Sequence, residues 1–132
     1  MIKSILITIG ILLSYTPLSA ASSQASQEKM AGNMLMVGFH GTSAKSGSQI
    51  CKDIRRYNLA GVILFDFNPV DKSKPKNIAN KSQLKKLTSE LQACSHDHKL
   101  LIAVDQEGGR VQRLKSQYGF YGKFPKASDV VK

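Results

Sequence analysis

Three short runs of consecutive apolar residues restrict what this chain can fold into more than any other feature of its sequence. They are Met34–Phe39, Gly61–Phe65 and Leu100–Val104, and polar or glycine residues follow each of them. Unbroken apolar runs of about four to eight residues are typical of strands in a parallel sheet that is covered on both faces. The runs therefore predict three buried parallel strands.

Two segments with helical periodicity separate these runs. The first places its apolar side chains on one helix face, at Ile50, Cys51, Ile54 and Tyr57. The second does the same at Leu84, Leu87 and Leu91. Asn80 precedes the second helix as its N-cap, and Gln83 has the spacing of a capping-box partner. The resulting order of strand, helix, strand, helix and strand predicts two consecutive βαβ units with right-handed crossovers.

This α/β order is compatible with a doubly wound sheet or with a barrel. In both folds, ligands bind at the carboxyl ends of the strands. The polar residues at those ends are His40, Asp66, Asn68 and the stretch from Asp105 to Arg113. The chain has 132 residues, whereas a closed (β/α)8 barrel needs roughly 200 or more. A complete barrel is therefore excluded for this sequence alone.

The first 21 residues have the layout of a secretory signal peptide. Lys3 provides a positive charge, residues 5–13 form an apolar run, and residues 19–22 are small enough for cleavage. An uncleaved anchor is disfavoured because a membrane span needs about 20 apolar residues. We therefore expect an exported protein, periplasmic or secreted, with no stable membrane anchor after cleavage. Residues 22–132 would form the mature part, beginning with a flexible leader over residues 22–27.

The chain is basic, with 19 Lys and Arg against 9 Asp and Glu, which gives a net charge of +10. In an exported protein this balance favours anionic envelope polymers or membrane surfaces over nucleic acid as partners. The lysines between residues 72 and 86 are not interleaved with aromatic residues. They are typical of a solvated loop and an exposed helix face, and we expect no nucleic-acid partner.

The two cysteines, Cys51 and Cys94, match no metal-binding spacing. An oxidising compartment would allow them to form a disulfide, but each also fits an apolar helix stripe in which a buried thiol is common. The three histidines are not spaced as ligands on one helix face. We therefore predict neither a metal site nor a cofactor, and the redox state of the cysteines stays open.

Two carboxylates and two guanidiniums follow the third apolar run, at Asp105, Glu107, Arg110 and Arg113. Between them, Gly108–Gly109 allows positive φ and a close turn. Such a group could bind an anion, although no phosphate-binding glycine motif is present. It could also bind sugar hydroxyls, or use Asp105 and Glu107 as an acid–base pair in glycoside hydrolysis. The remaining alternative is an Asp–Arg network that merely stabilises the glycine turn.

Residues 104–114, Val-Asp-Gln-Glu-Gly-Gly-Arg-Val-Gln-Arg-Leu, resemble the Asp-x-Glu-Gly-Gly-Arg-Val-x-Arg signature of glycoside hydrolase family 3. The similarity is greatest to the bacterial β-N-acetylglucosaminidases, also called β-N-acetylhexosaminidases, and extends in order over residues 28–128. It implies the first three or so βα units of a (β/α)8 TIM-type barrel. It also implies hydrolysis, with retention, of terminal β-linked N-acetylglucosamine or a related β-glycoside from cell-wall-derived sugars.

The resemblance also implies roles for single residues. Asp105 and Arg113 would bind hydroxyls of the non-reducing sugar, and Glu107 and Arg110 would support the same pocket. Asp105 is then a binding residue and not the nucleophile. The nucleophile and the acid/base of this family lie in later segments that nothing here resembles, so we expect them beyond Lys132 and expect the chain alone to be inactive. The alternatives are a non-catalytic carbohydrate-binding remnant and a split-barrel partner whose open sheet edge pairs with a second polypeptide.

Overall fold

The computed structural model describes residues 18–131. Its larger elements are α1 (Leu18–Gly32), β1 (Met36–Gly38), α2 (Gln49–Tyr57), β2 (Gly61–Leu64), α3 (Lys81–Cys94) and β3 (Leu101–Val104). The shorter ones are β4 (Gln106–Gly108), β5 (Val111–Gln112), a 3-10 helix (Ser116–Tyr118) and α4 (Ala127–Val130). The predicted signal peptide lies, for residues 1–17, outside the described part and stays a prediction.

The strands β1, β2 and β3 form one parallel sheet in that order. Val37, Val62 and Ile102 occupy equivalent positions across it. The predicted order of strand, helix, strand, helix and strand is therefore confirmed. Both helices have the expected positions, because α2 buries Ile50 and Ile54, and α3 buries Leu87 and Leu91, on the apolar faces that the periodicity indicates.

The core lies on one face of this sheet. Val62 and Leu64 of β2 are buried there, together with Leu87 and Leu91 of α3. Side chains alternate between the two faces of a strand. The next row, which contains Met36 and Leu101, therefore points to the opposite face.

The prediction that the sheet is covered on both faces is wrong for the described residues. Met36 and Leu101 are 42% and 60% exposed, so no helix within residues 18–131 shields these two residues. An apolar run indicates only that a strand prefers burial. It does not show which part of a structure supplies the second layer.

Helix α1 replaces the flexible leader that the sequence analysis expected over residues 22–27. Its alanine, glutamine, glutamate, lysine and methionine residues are good helix formers. The serines between them made the segment resemble a flexible leader in sequence. The helix ends at Gly32, where a Cβ atom would lie 1.7 Å from the carbonyl oxygen of Tyr57. Glycine thus allows α1 and α2 to approach closely. None of the helices within residues 18–131 combines the length and the apolar content needed to cross a bilayer.

A disulfide joins Cys51 in α2 to Cys94 in α3, with their Cα atoms 5.1 Å apart. Both residues are buried, as expected for an apolar stripe. The bond resolves the alternative left open above in favour of pairing. It connects the two helices that cover the sheet.

The predicted cap of α3 is present in a slightly different form. The side-chain oxygen of Asn80 accepts a hydrogen bond from the backbone N–H of Gln83 at 2.9 Å. The side-chain oxygen of Gln83 accepts a hydrogen bond from the backbone N–H of Ala79, whereas a standard capping box would use the N–H of Asn80. Its amide also donates to the carbonyl of Thr42, so the cap additionally anchors the loop that follows β1.

Candidate functional site

The carboxyl ends of β2 and β3 each present an aspartate at the same edge of the sheet. Asp66 follows β2 and Asp105 follows β3. Arg113 reaches back from the β4–β5 hairpin and lies between them. Its Nη1 atom is 3.4 Å from Oδ1 of Asp66, and its Nη2 atom is 3.4 Å from Oδ2 of Asp105. Lys115 contacts the second oxygen of Asp66 through its ammonium group.

Exposure increases outward through this cluster. The side chain of Asp66 is 1% exposed, that of Arg113 is 23% exposed, and that of Asp105 is 36% exposed. A buried carboxylate is costly unless it is paired and hydrogen-bonded, and Asp66 has both Arg113 and Lys115. Asp105 is therefore the more accessible of the two carboxylates, and Asp66 is the more deeply buried.

The glycine turn has the conformation that the sequence analysis predicted. Gly108 and Gly109 have φ values of 85° and 60°, which disfavour side-chain-bearing residues. A Cβ atom at Gly108 would also lie 1.9 Å from the carbonyl oxygen of Pro125. The N–H of Gly109 donates to the carbonyl of Phe124 at 3.0 Å. The turn thus holds the segment after the signature against the hairpin.

Gln106 fixes the backbone from which the Arg113 side chain extends. Its side-chain oxygen accepts hydrogen bonds from the N–H groups of Arg113 and Leu114, both at 3.1 Å. The side-chain Nε2 atom of Gln106 and the Nε atom of Arg113 are both buried without a hydrogen-bond partner. Such groups are rare in folded proteins, and their position next to Asp105 marks this corner as unusual.

The structure does not bring the other two predicted site residues into this cluster. Glu107 and Arg110 are exposed on the hairpin, and neither forms an ion pair with another residue of the described range. Arg110 lines a cavity of about 320 Å³ together with Lys115 and Lys123. Their role in supporting the pocket therefore stays a prediction.

Asn77 is a structural residue of the site that the sequence analysis missed. Its side-chain oxygen accepts from the N–H of Phe65 at 3.0 Å. Its amide donates to the carbonyls of Phe39 and Gly41 at 3.1 and 3.0 Å. It is fully buried and joins the chain at the ends of β1 and β2. A single asparagine in a lysine-rich loop carries no sequence signal for this role.

Phe65, which the sequence places in an apolar strand, also contacts the cluster. Its ring centroid lies 5.5 Å from the Arg113 guanidinium carbon and 4.3 Å from the Lys76 ammonium nitrogen. Both distances are within the range of cation–π attraction. The ring therefore helps to hold Arg113 at the carboxyl edge of the sheet.

The cavity beside the cluster is about 320 Å³ and is lined by polar residues that include Asp66, Asn68 and Lys115. A larger cavity of about 790 Å³ lies elsewhere, between α1, β1 and α2. Its walls are mostly apolar and include His40, but they contain none of Asp105, Glu107, Arg110 and Arg113. We place the candidate site at the Asp–Arg cluster because the convergent charged groups are there. Among residues 18–131, no group of three or more His, Cys, Asp or Glu side chains could hold a metal ion.

No protein-family model matches the chain. The β-hexosaminidase A of Pseudoalteromonas piscicida is 31% identical over 85% of this chain, which corresponds to 22% of that protein. The β-hexosaminidase of Hydrogenovibrio crunogenus is 47% identical over 46% of this chain and 14% of its own length. A solved glycoside hydrolase family 3 β-N-acetylglucosaminidase from Paenibacillus sp. str. FPU-7 matches with a TM-score of 0.59 and 32% identity. That match covers 75% of this chain and 17% of the solved one.

The chain is similar to part of a glycoside hydrolase family 3 β-N-acetylglucosaminidase. The resemblance carried by residues 104–114 is thereby confirmed. The chain spans about a fifth of the length of the Pseudoalteromonas relative. In parallel α/β folds ligands bind at the carboxyl edge of the sheet, and the Asp–Arg cluster lies at this edge.

Proposed function

We propose that this chain carries the sugar-binding part of a glycoside hydrolase of the β-N-acetylglucosaminidase type. Its substrate class would be terminal β-linked N-acetylglucosamine or a related β-glycoside. The observation that carries the proposal is the position of Arg113 between Asp66 and Asp105 at the carboxyl edge of the sheet. The names of the relatives support the same reaction class.

The chemistry of the cluster suits a sugar better than the alternatives. Carboxylate oxygens accept hydrogen bonds from hydroxyl groups, and a guanidinium adds charge-assisted donors of fixed geometry. A free anion would meet the accessible Asp105 carboxylate, which repels it. An acid–base pair of Asp105 and Glu107 is not supported, because Asp105 contacts Arg113 and Glu107 is exposed on the hairpin.

We further propose that the βα units described above are units of a TIM-type barrel in an exported enzyme. Active sites of such barrels lie at the carboxyl ends of the strands, which is where the Asp–Arg cluster is found. Retaining hydrolysis needs a nucleophile and a proton donor roughly 5 Å apart. We assign neither role to any described residue, and the proposed contribution of this chain is substrate binding.

The test is a titration of the purified chain with methyl β-N-acetylglucosaminide, followed by calorimetry or NMR. We expect binding that is lost in Asp105→Ala and in Arg113→Ala. The matched controls are Asp97→Ala and Arg55→Ala, which remove exposed residues of the same types that take no part in the ion pairs of the cluster. Unchanged binding in both site variants, or an equal loss in the controls, would contradict the proposal.

A split-barrel partner is the second candidate, and the uncovered face of the sheet favours it. Met36 and Leu101 are exposed there, and within residues 18–131 the outer edges of β1 and β3 pair with no further strand. Exposed apolar faces and open edges promote association. Sedimentation of the chain with and without a polypeptide carrying the remaining barrel strands would detect such a complex. Turnover of a chromogenic β-N-acetylglucosaminide that requires the second polypeptide would support this reading.

A further inference from the structure

Asp66 is a buried carboxylate at the site to which neither the resemblance nor the comparisons assign a role. Its side chain is 1% exposed, and both of its oxygens are occupied, one by Arg113 and the other by Lys115. A charge buried this deeply has to stay paired. The contact with Arg113 is present in the folded chain without a ligand.

We infer that Asp66 is a positioning residue that sets the orientation of the Arg113 guanidinium. Its contact occupies Nη1, which leaves Nη2 on the side of Asp105. A planar guanidinium held by carboxylates at both ends cannot turn about its Cζ–Nε bond without breaking a contact. Asp66 thus acts on a ligand through Arg113, and its use in sugar binding rests on the proposed function.

The other neighbours of Arg113 restrain it in different ways. Gln106 holds its backbone N–H, and the ring of Phe65 lies against its guanidinium. Neither the hydrogen bond from Gln106 nor the ring of Phe65 determines which Nη atom of Arg113 faces Asp105. Among the described residues, Asp66 and Asp105 are the two carboxylates that pair with Arg113, and Asp66 is the more deeply buried of the two.

A purely structural reading would have Asp66 serve the fold by neutralising Lys115. This reading predicts that replacing Asp66 lowers stability without changing the motion of Arg113. The rotation of the guanidinium therefore separates the two readings, because it reports on contacts to the Nη atoms and is measured in the folded protein without sugar.

The experiment uses the full chain labelled with nitrogen-15. The Arg113 Nε–Hε signal is assigned by its loss in Arg113→Lys, and the rate of rotation about Cζ–Nε is measured for each variant. We expect Asp66→Asn to raise this rate several-fold and to weaken binding of methyl β-N-acetylglucosaminide about tenfold, as for a lost charged hydrogen bond.

Asp71→Asn is the matched control. The hydroxyl of Ser73, with smaller contributions from its N–H and from Lys74, lowers the pKa of Asp71, which is therefore charged at neutral pH. The variant removes the same charge from an exposed pair with Lys74 on the loop after β2. It should leave both the Arg113 rotation rate and the sugar affinity unchanged.

If Asp66→Asn does not fold, the double variant Asp66→Asn/Lys115→Met removes the buried charge together with its second partner, and it should show the same faster rotation. An unchanged rotation rate in a folded variant, or an equal change in Asp71→Asn, would overturn the inference. Absence of sugar binding by the unsubstituted chain counts against the proposed function alone, since the rotation rate then still decides the role of Asp66.

Discussion

Asp66 and Arg113 are separated by 47 positions in the sequence, yet Oδ1 of the first and Nη1 of the second are 3.4 Å apart. The contact spans the carboxyl ends of two neighbouring strands, because Arg113 also reaches Asp105 after β3. It is therefore a product of the parallel sheet and of the hairpin that follows it.

The first prediction concerns the affinity for sugar. Arg113→Ala removes a charge-assisted donor, so we expect binding of methyl β-N-acetylglucosaminide to weaken by about 1.5–3 kcal/mol. Arg113→Lys should also weaken binding, because a single ammonium group cannot reproduce the planar guanidinium, whose two Nη atoms contact two carboxylates. Calorimetric titration measures both effects. Full affinity in Arg113→Lys would show that a positive charge is sufficient for sugar binding and that the geometry of the guanidinium does not matter.

The second prediction concerns the disulfide between Cys51 and Cys94, which closes a loop with a sequence separation of 43. Loss of a cross-link over a loop of this size should lower the free energy of unfolding by about 2–4 kcal/mol. Urea denaturation with and without reductant measures the difference. In Cys51→Ala/Cys94→Ala the reductant should have no effect, and a reductant-sensitive double variant would refute this explanation.

The third prediction concerns Asn77. Asn77→Ala leaves the N–H of Phe65 and the carbonyls of Phe39 and Gly41 without their buried partner. We expect the free energy of unfolding to fall by about 2–4 kcal/mol.

Asn68→Ala is the matched control for Asn77→Ala, because the Asn68 oxygen accepts from two backbone N–H groups in a more exposed turn. It should cost no more than about 1 kcal/mol. Urea denaturation followed by circular dichroism compares the two variants. Equal losses would mean that burial of Asn77 does not matter.

The fourth prediction concerns Gly108, whose φ value is 85° and whose Cβ position lies 1.9 Å from the carbonyl oxygen of Pro125. Gly122 also has a positive φ value, 56°, but no atom lies within 4 Å of its Cβ position. Gly122→Ala should therefore cost about 1–2 kcal/mol for its backbone conformation alone. Gly108→Ala should cost about 2 kcal/mol more, since a backbone clash is added. Thermal and urea unfolding compare them, and similar losses would refute the close packing of residues 124–125 on the hairpin.

The strands β1, β2 and β3, the helices α2 and α3, and the glycine turn followed from local patterns. An apolar run, a helical stripe such as that of Ile50 and Ile54, and an N-cap such as Asn80 involve residues a few positions apart. Each of them reflects backbone geometry that repeats over one turn or one pleat. The same locality explains the one large error in secondary structure, because α1 lacks an apolar stripe and its small polar residues resemble a flexible leader.

The functional contacts could not be obtained in this way. The signature indicated that Asp105 and Arg113 share a site, but nothing local indicated that Asp66 is the second partner of that arginine or that Asn77 joins two strand ends. Such contacts connect residues tens of positions apart, and many pairings of similar residues would satisfy the same charges. Only the packing of the sheet, its helices and the hairpin selects one of them, because it decides which side chains come within hydrogen-bonding distance and which remain buried.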